Sequence, residues 1–299
     1  MVRLRRSALY LPCSNSRAIA KSRELDCDVV LFDLEDAVAP EAKAEARARV
    51  REALMERRSL TQSSNVETRA GGRDQELVVR INALNSEWYK EDLLSVAEAK
   101  PDGLLLPKVE SAEQIRQLAR DFANIGGSDD VRFWCMMETP KGILQCDSIA
   151  GAHPRLECLV MGTSDLTQDL HALHTSLRLP MLTSLGLCLL AARAHDLSIL
   201  DGVALDLADN SAFADSCSQG RELGFDGKTL IHPKQIAVCN STFSPSDAEV
   251  ERARGVVDAF AAARSGGRAV VVHQGRLVEE LHVREAERIL ATHLSLSTS

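Results

Sequence analysis

The stretch VVLFDLEDAV, at residues 29–38, begins as an apolar run and ends in three carboxylates. The run predicts a buried strand, and Asp33, Glu35 and Asp36 fall where that strand ends. An unpaired buried carboxylate costs several kcal/mol, so an ordinary core strand does not end this way. The stretch therefore indicates a strand that delivers acids to a site where a cation or arginines meet them.

Seven further apolar runs occur along the chain, and the segments between them are rich in Ala, Arg, Glu and Leu with helical spacing. The strand candidates are ALYLP (8–12), VVLFDLE (29–35), ELVVRIN (76–82), GLLLPK (103–108), RFWCMME (132–138), CLVMGT (158–163), ILDGVAL (199–205) and KTLIHP (228–233). Alternation of strands and helices is typical of an α/β fold with a parallel sheet. Eight units predict a TIM (β/α)8 barrel, with an open doubly wound sheet as the alternative.

The chain of 299 residues is long enough for one barrel or two smaller domains. The units predict a TIM-barrel catalytic domain at residues 1–240 and a C-terminal helical extension at 241–299. In the extension, an N-cap signal at Ser244 or Ser246 precedes a helix, and a strand-like segment and a last helix follow. Residues 59–76 are polar and aperiodic, which predicts an exposed loop before the third strand.

Charge and cysteine usage narrow the classes of function. A net charge of −8 and a pI near 5.6 disfavour nucleic acid and anionic membranes as partners. The eight cysteines show no C-x-x-C pair and no zinc-like spacing, which predicts buried free thiols in a reducing compartment. No apolar run is long enough for a signal peptide or a membrane span. We therefore expect a cytoplasmic protein.

Polar residues follow most of the predicted strands. Asp33, Glu35 and Asp36 follow the second, Arg80 and Asn82 the third, Lys108 the fourth, Glu138 the fifth and Asp165 the sixth. In a TIM barrel the active site lies at these carboxyl ends of the strands. An acidic cluster facing a few cations suits an oxygen-liganded Mg²⁺ with an anionic substrate. We predict Glu138 and Asp165 as the metal ligands, because each follows an apolar strand in a tight turn.

Other polar residues have two interpretations. Arg80 and Lys108 either serve the substrate or neutralise the acids in structural ion pairs. His171 and His174 have a spacing that suits a metal, but we predict that they form a solvated face. His232 either lines the pocket or hydrogen-bonds behind it. The P-loop, G-x-G-x-x-G, G-x-S-x-G and H-E-x-x-H patterns do not occur, which leaves nucleotide, dinucleotide, serine-hydrolase and zincin chemistry without support.

Several segments of the chain resemble, in the same order, those of the HpcH/HpaI aldolase and citrate lyase β-subunit superfamily, in particular its malyl-CoA and citramalyl-CoA lyase branch. The matching segments are RSALYLPCSNSRAIAKS (6–22), FDLEDAVAPEAKAEAR (32–47), VVRIN (78–82), LLLPKVES (104–111), METPKGI (137–143), MGTSDL (161–166), GFDGKTLIHPKQI (224–236) and FSPSDAEVERA (243–253). The resemblance implies a Mg²⁺-dependent TIM barrel, usually a homotrimer or hexamer. It also implies an enzyme that cleaves or forms a carbon–carbon bond in a carboxylated 3-hydroxyacyl-CoA.

The resemblance also implies roles for individual residues. Glu138 and Asp165 would hold Mg²⁺, and Arg80 would grip the oxo-acid fragment. Glu35 and Asp36 would bind the metal's waters or orient Arg80. The positions near the CoA phosphates are Asn15, Arg17 and Lys21.

The tail departs from the family pattern. Lyases of this type usually carry G-K-M-I-D-K-P-H-V, whose Asp reaches a neighbouring subunit's site as acid or base. Here GRLVEELHV, at residues 275–283, places Glu279 at the Asp position and Leu281 at the proline. The extra methylene shifts the carboxyl, and small shifts matter in a preorganised site. Thioester hydrolysis, a partner-dependent subunit that binds an acyl carrier protein, and an aldolase of free hydroxy-oxo acids therefore stay open beside the lyase.

Overall fold

The computed structural model describes residues 3–63 and 75–297. Eight parallel strands close into a barrel in chain order, and β1 pairs with β8. The strands are β1 (Ser7–Pro12), β2 (Val29–Asp33), β3 (Glu76–Arg80), β4 (Gly103–Leu106), β5 (Arg132–Met137), β6 (Leu156–Met161), β7 (Ser198–Asp201) and β8 (Gly227–Leu230). The predicted TIM barrel is confirmed, and closure of the barrel excludes the open sheet.

Helices follow the strands. They are α1 (Ser16–Lys21), α2 (Lys43–Ser63), α3 (Tyr89–Ala99), α4 (Ala112–Asn124), α5 (Pro140–Leu144), α6 (Cys146–Ala150), α7 (Thr163–Asp169), α8 (Leu182–Ala194), α9 (Asn210–Leu223), α10 (Ile236–Phe243), α11 (Asp247–Ser265) and α12 (Glu280–Ser297). Some starts are dictated locally, as at α4, where Ser111 and Gln114 form a capping box. Among the residues described, no helix combines the length and apolar character needed to cross a membrane.

The predicted loop at residues 59–76 was partly wrong. Helix α2 continues to Ser63, because its Ala- and Arg-rich sequence sustains helix past residue 58. Strand β3 begins at Glu76. Residues 64–74 of the prediction lie outside the described residues.

The barrel interior is filled by side chains that alternate along the strands, as expected for this fold. The buried cluster consists of Ala8, Val29, Leu31, Val78, Leu105, Trp134, Met136, Cys158, Val160 and Leu200. All eight cysteines are buried free thiols. The interior cluster is therefore apolar, and the charged groups described below lie at the two ends of the barrel.

At the amino-terminal end of the strands, which we call the floor, each buried acid meets an arginine. Arg5 donates from Nε and Nη2 to Glu76 at 2.7 and 2.9 Å and lies 4.9 Å from the Trp134 ring. Arg6 donates to Asp28 at 2.8 and 2.7 Å. Such two-pronged pairs satisfy buried charge, and here they close the barrel floor.

The seam between β1 and β8 is close-packed. A Cβ added to Gly227, the first residue of β8, would lie 1.9 Å from the backbone oxygen of Arg5. A side chain at this position is therefore excluded by the backbone that leads into β1.

A second compact unit contains residues 241–299 and the first four residues, and Arg5–Asn240 form the barrel unit. Helix α11 starts after Ser246, which forms a capping box with Glu249, as one of the two predicted N-caps. Strands β9 (Val271–His273) and β10 (Arg276–Val278) form an antiparallel hairpin that the prediction recognised only in its first half. Packing of this unit on a neighbouring subunit stays a prediction.

Candidate active site

The strand-end residues gather at the carboxyl-terminal end of the barrel, which we call the mouth. Asp33 ends β2 and Arg80 ends β3, while Glu35 and Glu138 lie just beyond β2 and β5. Asp33 is 1% exposed, Glu35 6% and Glu138 2%, so these carboxylates are removed from bulk water. Asp165 lies in the first turn of α7. Burying several acids together requires cations nearby.

Arg80 is the main cation of the mouth. Its Nε and Nη2 donate to the two carboxylate oxygens of Asp33 at 2.8 and 2.6 Å. Its Nη1 lies 2.8 Å from Glu35 Oε2, and its guanidinium lies 5.0 Å from the Tyr10 ring centroid. Asp33 and Tyr10 thus fix the plane of the guanidinium, and the Nη1 edge is the part that Asp33 leaves available.

Glu138 is held on both sides. The backbone N–H of Lys108 donates to its Oε1 at 2.7 Å. A Cβ added to Gly162 would lie 2.4 Å from its Cβ and 2.6 Å from its Oε2, so only glycine leaves room for this carboxylate. Burial, together with the neighbouring Glu35 charge, raises the pKa of Glu138 to about 8. The carboxylate is therefore preorganised but short of compensating positive charge.

Glu35 also lacks enough positive charge nearby to compensate for its burial. Burial raises the pKa of Glu35 to about 7, although Arg80 opposes the shift. Its Oε2 is buried and makes no hydrogen bond, because the contact with Arg80 Nη1 has the distance but not the angles of one. A buried oxygen without a hydrogen bond can accept one from a donor such as a metal-bound water.

The loop that carries Glu35 depends on a lysine that sequence reasoning passed over. Lys43 is buried, and its Nζ donates to the backbone oxygens of Leu34 and Glu35 at 2.7 and 2.8 Å and to Asn82 Oδ1 at 2.9 Å. Asn82 is in turn held by Asp92 at 2.6 Å. The signal was available, because Lys43 stands at the first position of a helix directly after the acidic loop. These contacts fix Glu35 from behind.

A cavity of about 390 Å³ opens at the mouth. Its polar wall is formed by Asp33, Asp36, Arg80, Glu138 and Asp165, and its apolar wall includes Tyr10, Met136, Met161, Val203 and Ile231. Among the described residues, the hydroxyl of Tyr10 bonds only to the Met136 sulfur, at 3.3 Å. A weak thioether partner leaves this donor free for a ligand oxygen. Sequence reasoning missed Tyr10, because a tyrosine inside an apolar strand carries no polar signature.

The predicted residues are not all brought together. Asp36 lines the cavity, but Asn15, Arg17 and Lys21 lie exposed around α1 and do not line it. Asn15 caps α1 by accepting from the Ala18 N–H at 3.0 Å. Glu279 belongs to the second unit, in the short link between β10 and α12.

The histidines play no part in the cavity. His171 and His174 are exposed, in agreement with the solvated face expected for them. His232 also does not line the cavity, and its Nδ1 accepts from the Lys234 N–H at 3.1 Å. The hydrogen-bonding interpretation of His232 is therefore the one that the structure supports.

The mouth is suited to a hard divalent cation that is held by only a few protein ligands. Within residues 3–63 and 75–297, no three His, Cys, Asp or Glu side chains converge as ligands. Mg²⁺ is typically held by one or two carboxylates and keeps several waters, so two carboxylates such as Glu138 and Asp165 would be enough to hold it. The raised pKa of Glu138 and the unbonded Glu35 Oε2 are the features that such an ion with its waters would relieve.

The chain is similar to known proteins in sequence and in structure. The sequence profile of the family described as HpcH/HpaI aldolase/citrate lyase matches residues 6–233. A (3S)-malyl-CoA thioesterase from Cereibacter sphaeroides is 44% identical over 286 residues, which cover 96% of this chain and 93% of that protein. The citrate lyase subunit beta of Escherichia coli is 31% identical over 97% of this chain and 93% of its own.

Solved structures agree with the sequence matches. CitE from Mycobacterium tuberculosis, in complex with magnesium, acetoacetate and coenzyme A, superposes with a TM-score of 0.71 at 28% identity. The match covers 96% of this chain and 97% of that one.

Proposed function

This chain belongs to the HpcH/HpaI aldolase/citrate lyase family, and on that premise we propose that it is a Mg²⁺-dependent enzyme acting on a carboxylated 3-hydroxyacyl-CoA of the malyl type. One observation carries the proposal: a buried acid cluster, short of positive charge, and Arg80 together line a cavity of about 390 Å³. The magnesium and coenzyme A present in CitE support the same assignment.

We assign Glu138 and Asp165 as the metal ligands and Arg80 as the group that binds the substrate carboxylate through its Nη1 edge. A bound Mg²⁺ would polarise a substrate oxygen and lower the pKa of a bound water. Glu35 is the general base of the proposal, because a carboxylate with a pKa of about 7 is matched to proton transfer near neutral pH. Asp36, at the rim of the cavity, would hold water on the metal.

For the net reaction we infer thioester hydrolysis. The 44% identity to a (3S)-malyl-CoA thioesterase over nearly the whole chain favours it. Glu35 takes a proton from water, the water oxygen bonds to the thioester carbon, and the carbon–sulfur bond breaks to release the thiolate. The free hydroxy acid and CoA are the products. Tyr10 lies where it would donate to the oxygen that gains charge.

Carbon–carbon cleavage is the second candidate, supported by the similarity to citrate lyase subunit beta. The base then removes the proton from the 3-hydroxyl, the bond between C2 and C3 breaks, and an oxo acid and the acyl-CoA enolate form. Protonation of the enolate requires an acid, for which Glu279 of a neighbouring subunit is our proposal. The same subunit arrangement would be a homotrimer or hexamer, and Asn15, Arg17 and Lys21 would contact the CoA phosphates. These roles and a cytoplasmic location stay predictions.

Product analysis by mass spectrometry tests both candidates with malyl-, citramalyl- and citryl-CoA, in Mg²⁺ or in EDTA. Hydroxy acid plus CoA establishes hydrolysis, and acyl-CoA plus an oxo acid establishes the lyase. Either activity must be lost with EDTA and fall about 10²–10³-fold in Glu138→Gln, while the exposed-site control Glu113→Gln keeps it. Absence of turnover with all three thioesters would contradict both candidates and favour a subunit that requires an acyl carrier partner.

A further inference from the structure

Lys108 contacts three acids of the mouth at once. Its backbone N–H donates to Glu138 Oε1 at 2.7 Å. Its ammonium lies 3.7 Å from Glu35 Oε1 and 3.8 Å from Asp165 Oδ2. Lys108, which lies just beyond β4, therefore contacts acids of three other loops, those that follow β2, β5 and β6.

The backbone of Lys108 is unusual. Its φ of 52° lies in the left-handed region, which side chains with a Cβ rarely adopt. A glycine would meet this backbone requirement without strain, yet a lysine occupies the position. Conformations of this kind persist where surrounding structure or function demands them. Lys100 has a similar backbone conformation, so what distinguishes Lys108 is the position of its ammonium beside two acids of the mouth.

The ammonium is placed between two carboxylates rather than bonded to either. Both distances exceed the 2.7–3.2 Å of a hydrogen bond. The side chain is 45% exposed, whereas that of Arg80 is 11% exposed and fixed by Asp33. Arg80 is therefore a permanent cation of the mouth, and Lys108 is one that is able to withdraw into water.

We propose that Lys108 is a resident counter-cation that stands in for the divalent ion when the metal is absent and leaves when the metal binds. The inference rests on the proposed metal role of Asp165 and Glu138. An ammonium and a divalent ion repel each other, and both seek the carboxylate of Asp165. The long, flexible side chain of Lys108 makes the exchange inexpensive, because its charge passes into solvent.

Exchange has a measurable consequence. Each metal ion that binds must displace the Lys108 ammonium, so the side chain lowers the affinity of the site. Lys108→Met removes the ammonium, so the metal no longer has to displace it from its two weak, partly solvated contacts with the acids. Binding of Mn²⁺ or Mg²⁺ should therefore tighten by about five- to tenfold. Lys108→Arg keeps the charge and should retain an affinity close to that of the unmodified protein.

The experiment is a titration of the full chain with Mn²⁺, followed by electron paramagnetic resonance, and with Mg²⁺, followed by calorimetry, without any thioester. Lys100→Met is the matched control, because Lys100 also has a left-handed φ, of 49°, but caps the exposed end of α3. Lys108→Gly is the second variant. It keeps the N–H that holds Glu138 and removes the backbone strain, so it too should bind metal more tightly.

Unchanged or weaker metal binding in both Lys108→Met and Lys108→Gly would overturn the exchange. If the unmodified protein binds metal and hydrolyses its thioester while these variants bind no more tightly, the exchange fails and the proposed function stands. If neither the unmodified protein nor the variants bind a divalent ion, both proposals fail together.

Discussion

The floor and the mouth of the barrel both bury charge, but they balance it differently. At the floor, Glu76 and Asp28 each receive two hydrogen bonds from an arginine. At the mouth, Arg80 and Lys108 are the cations beside the carboxylates, while Lys43 bonds to backbone oxygens behind Glu35. They face three buried acids, Asp33, Glu35 and Glu138, and two more exposed ones, Asp36 and Asp165.

The imbalance is what separates a structural network from a binding site. A buried acid with a complete set of partners has nothing left to offer a ligand. Glu35 and Glu138 instead have raised pKa values, of about 7 and about 8, because burial is not fully compensated. Excess buried charge of one sign therefore identifies the end of the barrel that binds a cation.

The largest effect should come from breaking the balanced end. Arg5→Met removes the guanidinium that pairs with buried Glu76 and should lower the free energy of unfolding by about 3–5 kcal/mol. Metal affinity of the folded protein should not change, since the mouth lies at the opposite end of the strands. Urea unfolding and a Mn²⁺ titration measure the two properties. A loss of stability too small to detect would show that the floor pairs are not what distinguishes the two ends.

Neutralising an acid at the mouth should lower activity and leave stability intact, the reverse of what is expected at the floor. Glu138→Gln should lower activity about 10²–10³-fold, because the charge that holds the metal is lost. Stability without metal should be retained or increased, since the substitution removes a carboxylate that is costly to ionise. The measurements are kcat/KM and the unfolding midpoint in EDTA. A strongly destabilised variant would mean that Glu138 is part of a balanced network after all.

A smaller effect is expected from a substitution that moves the Glu138 carboxylate without changing any charge. Gly162→Ala places a Cβ 2.4 Å from the Cβ of Glu138, so the carboxylate must move. We expect divalent-ion affinity to fall about tenfold, as for other residues that orient a ligand. Gly186→Ala is the control, because nothing lies within 4 Å of its added Cβ. Equal affinities in the two variants would remove Gly162 from the site.

Taken per pH unit, the pH dependence of stability should show the smallest effect. Glu138 has a pKa of about 8 in the fold against an ordinary value of 4.5, so the folded state binds its proton more tightly. The contribution of Glu138 to stability in EDTA is therefore fully present below about pH 4.5 and is lost as the pH rises towards 8, by about 1 kcal/mol for each pH unit. The measurement is the unfolding midpoint across this range. Glu138→Gln should flatten the profile, and an equally steep profile in the variant would assign the slope elsewhere.

The fold was readable from sequence because most strands contain a short apolar run, as strands buried on both faces do, although β8, GKTL, shows it least. The strand ends were less accurate. Glu35, Asn82, Lys108 and Glu138 were all placed at strand ends, but each lies beyond the last paired residue. The reason is physical, because these residues leave the hydrogen-bonded ladder in order to turn over the mouth.

Some features had weak or misread signals. The turn of the second-unit hairpin is Gln274–Gly275, with φ of 47° and 75°, the pattern of a type I′ turn. Its strands have only three residues each, which is too short for alternation to register. Gly162 was quoted within a motif, but its reason, the lack of space beside Glu138, depends on two strands meeting in three dimensions.

The seam that joins β1 to β8 also constrains how this protein is made. Strand β1 is synthesised early, whereas the residues of β8 that pair with it, 228–230, are synthesised only after the rest of the barrel. Until then one edge of β1 is an unpaired template for other chains. Gly227 allows the late strand to dock against the finished backbone of Arg5 without a side chain in the way. We therefore expect the last step of folding to be non-local and slow, and the nascent barrel to depend on chaperones during that interval.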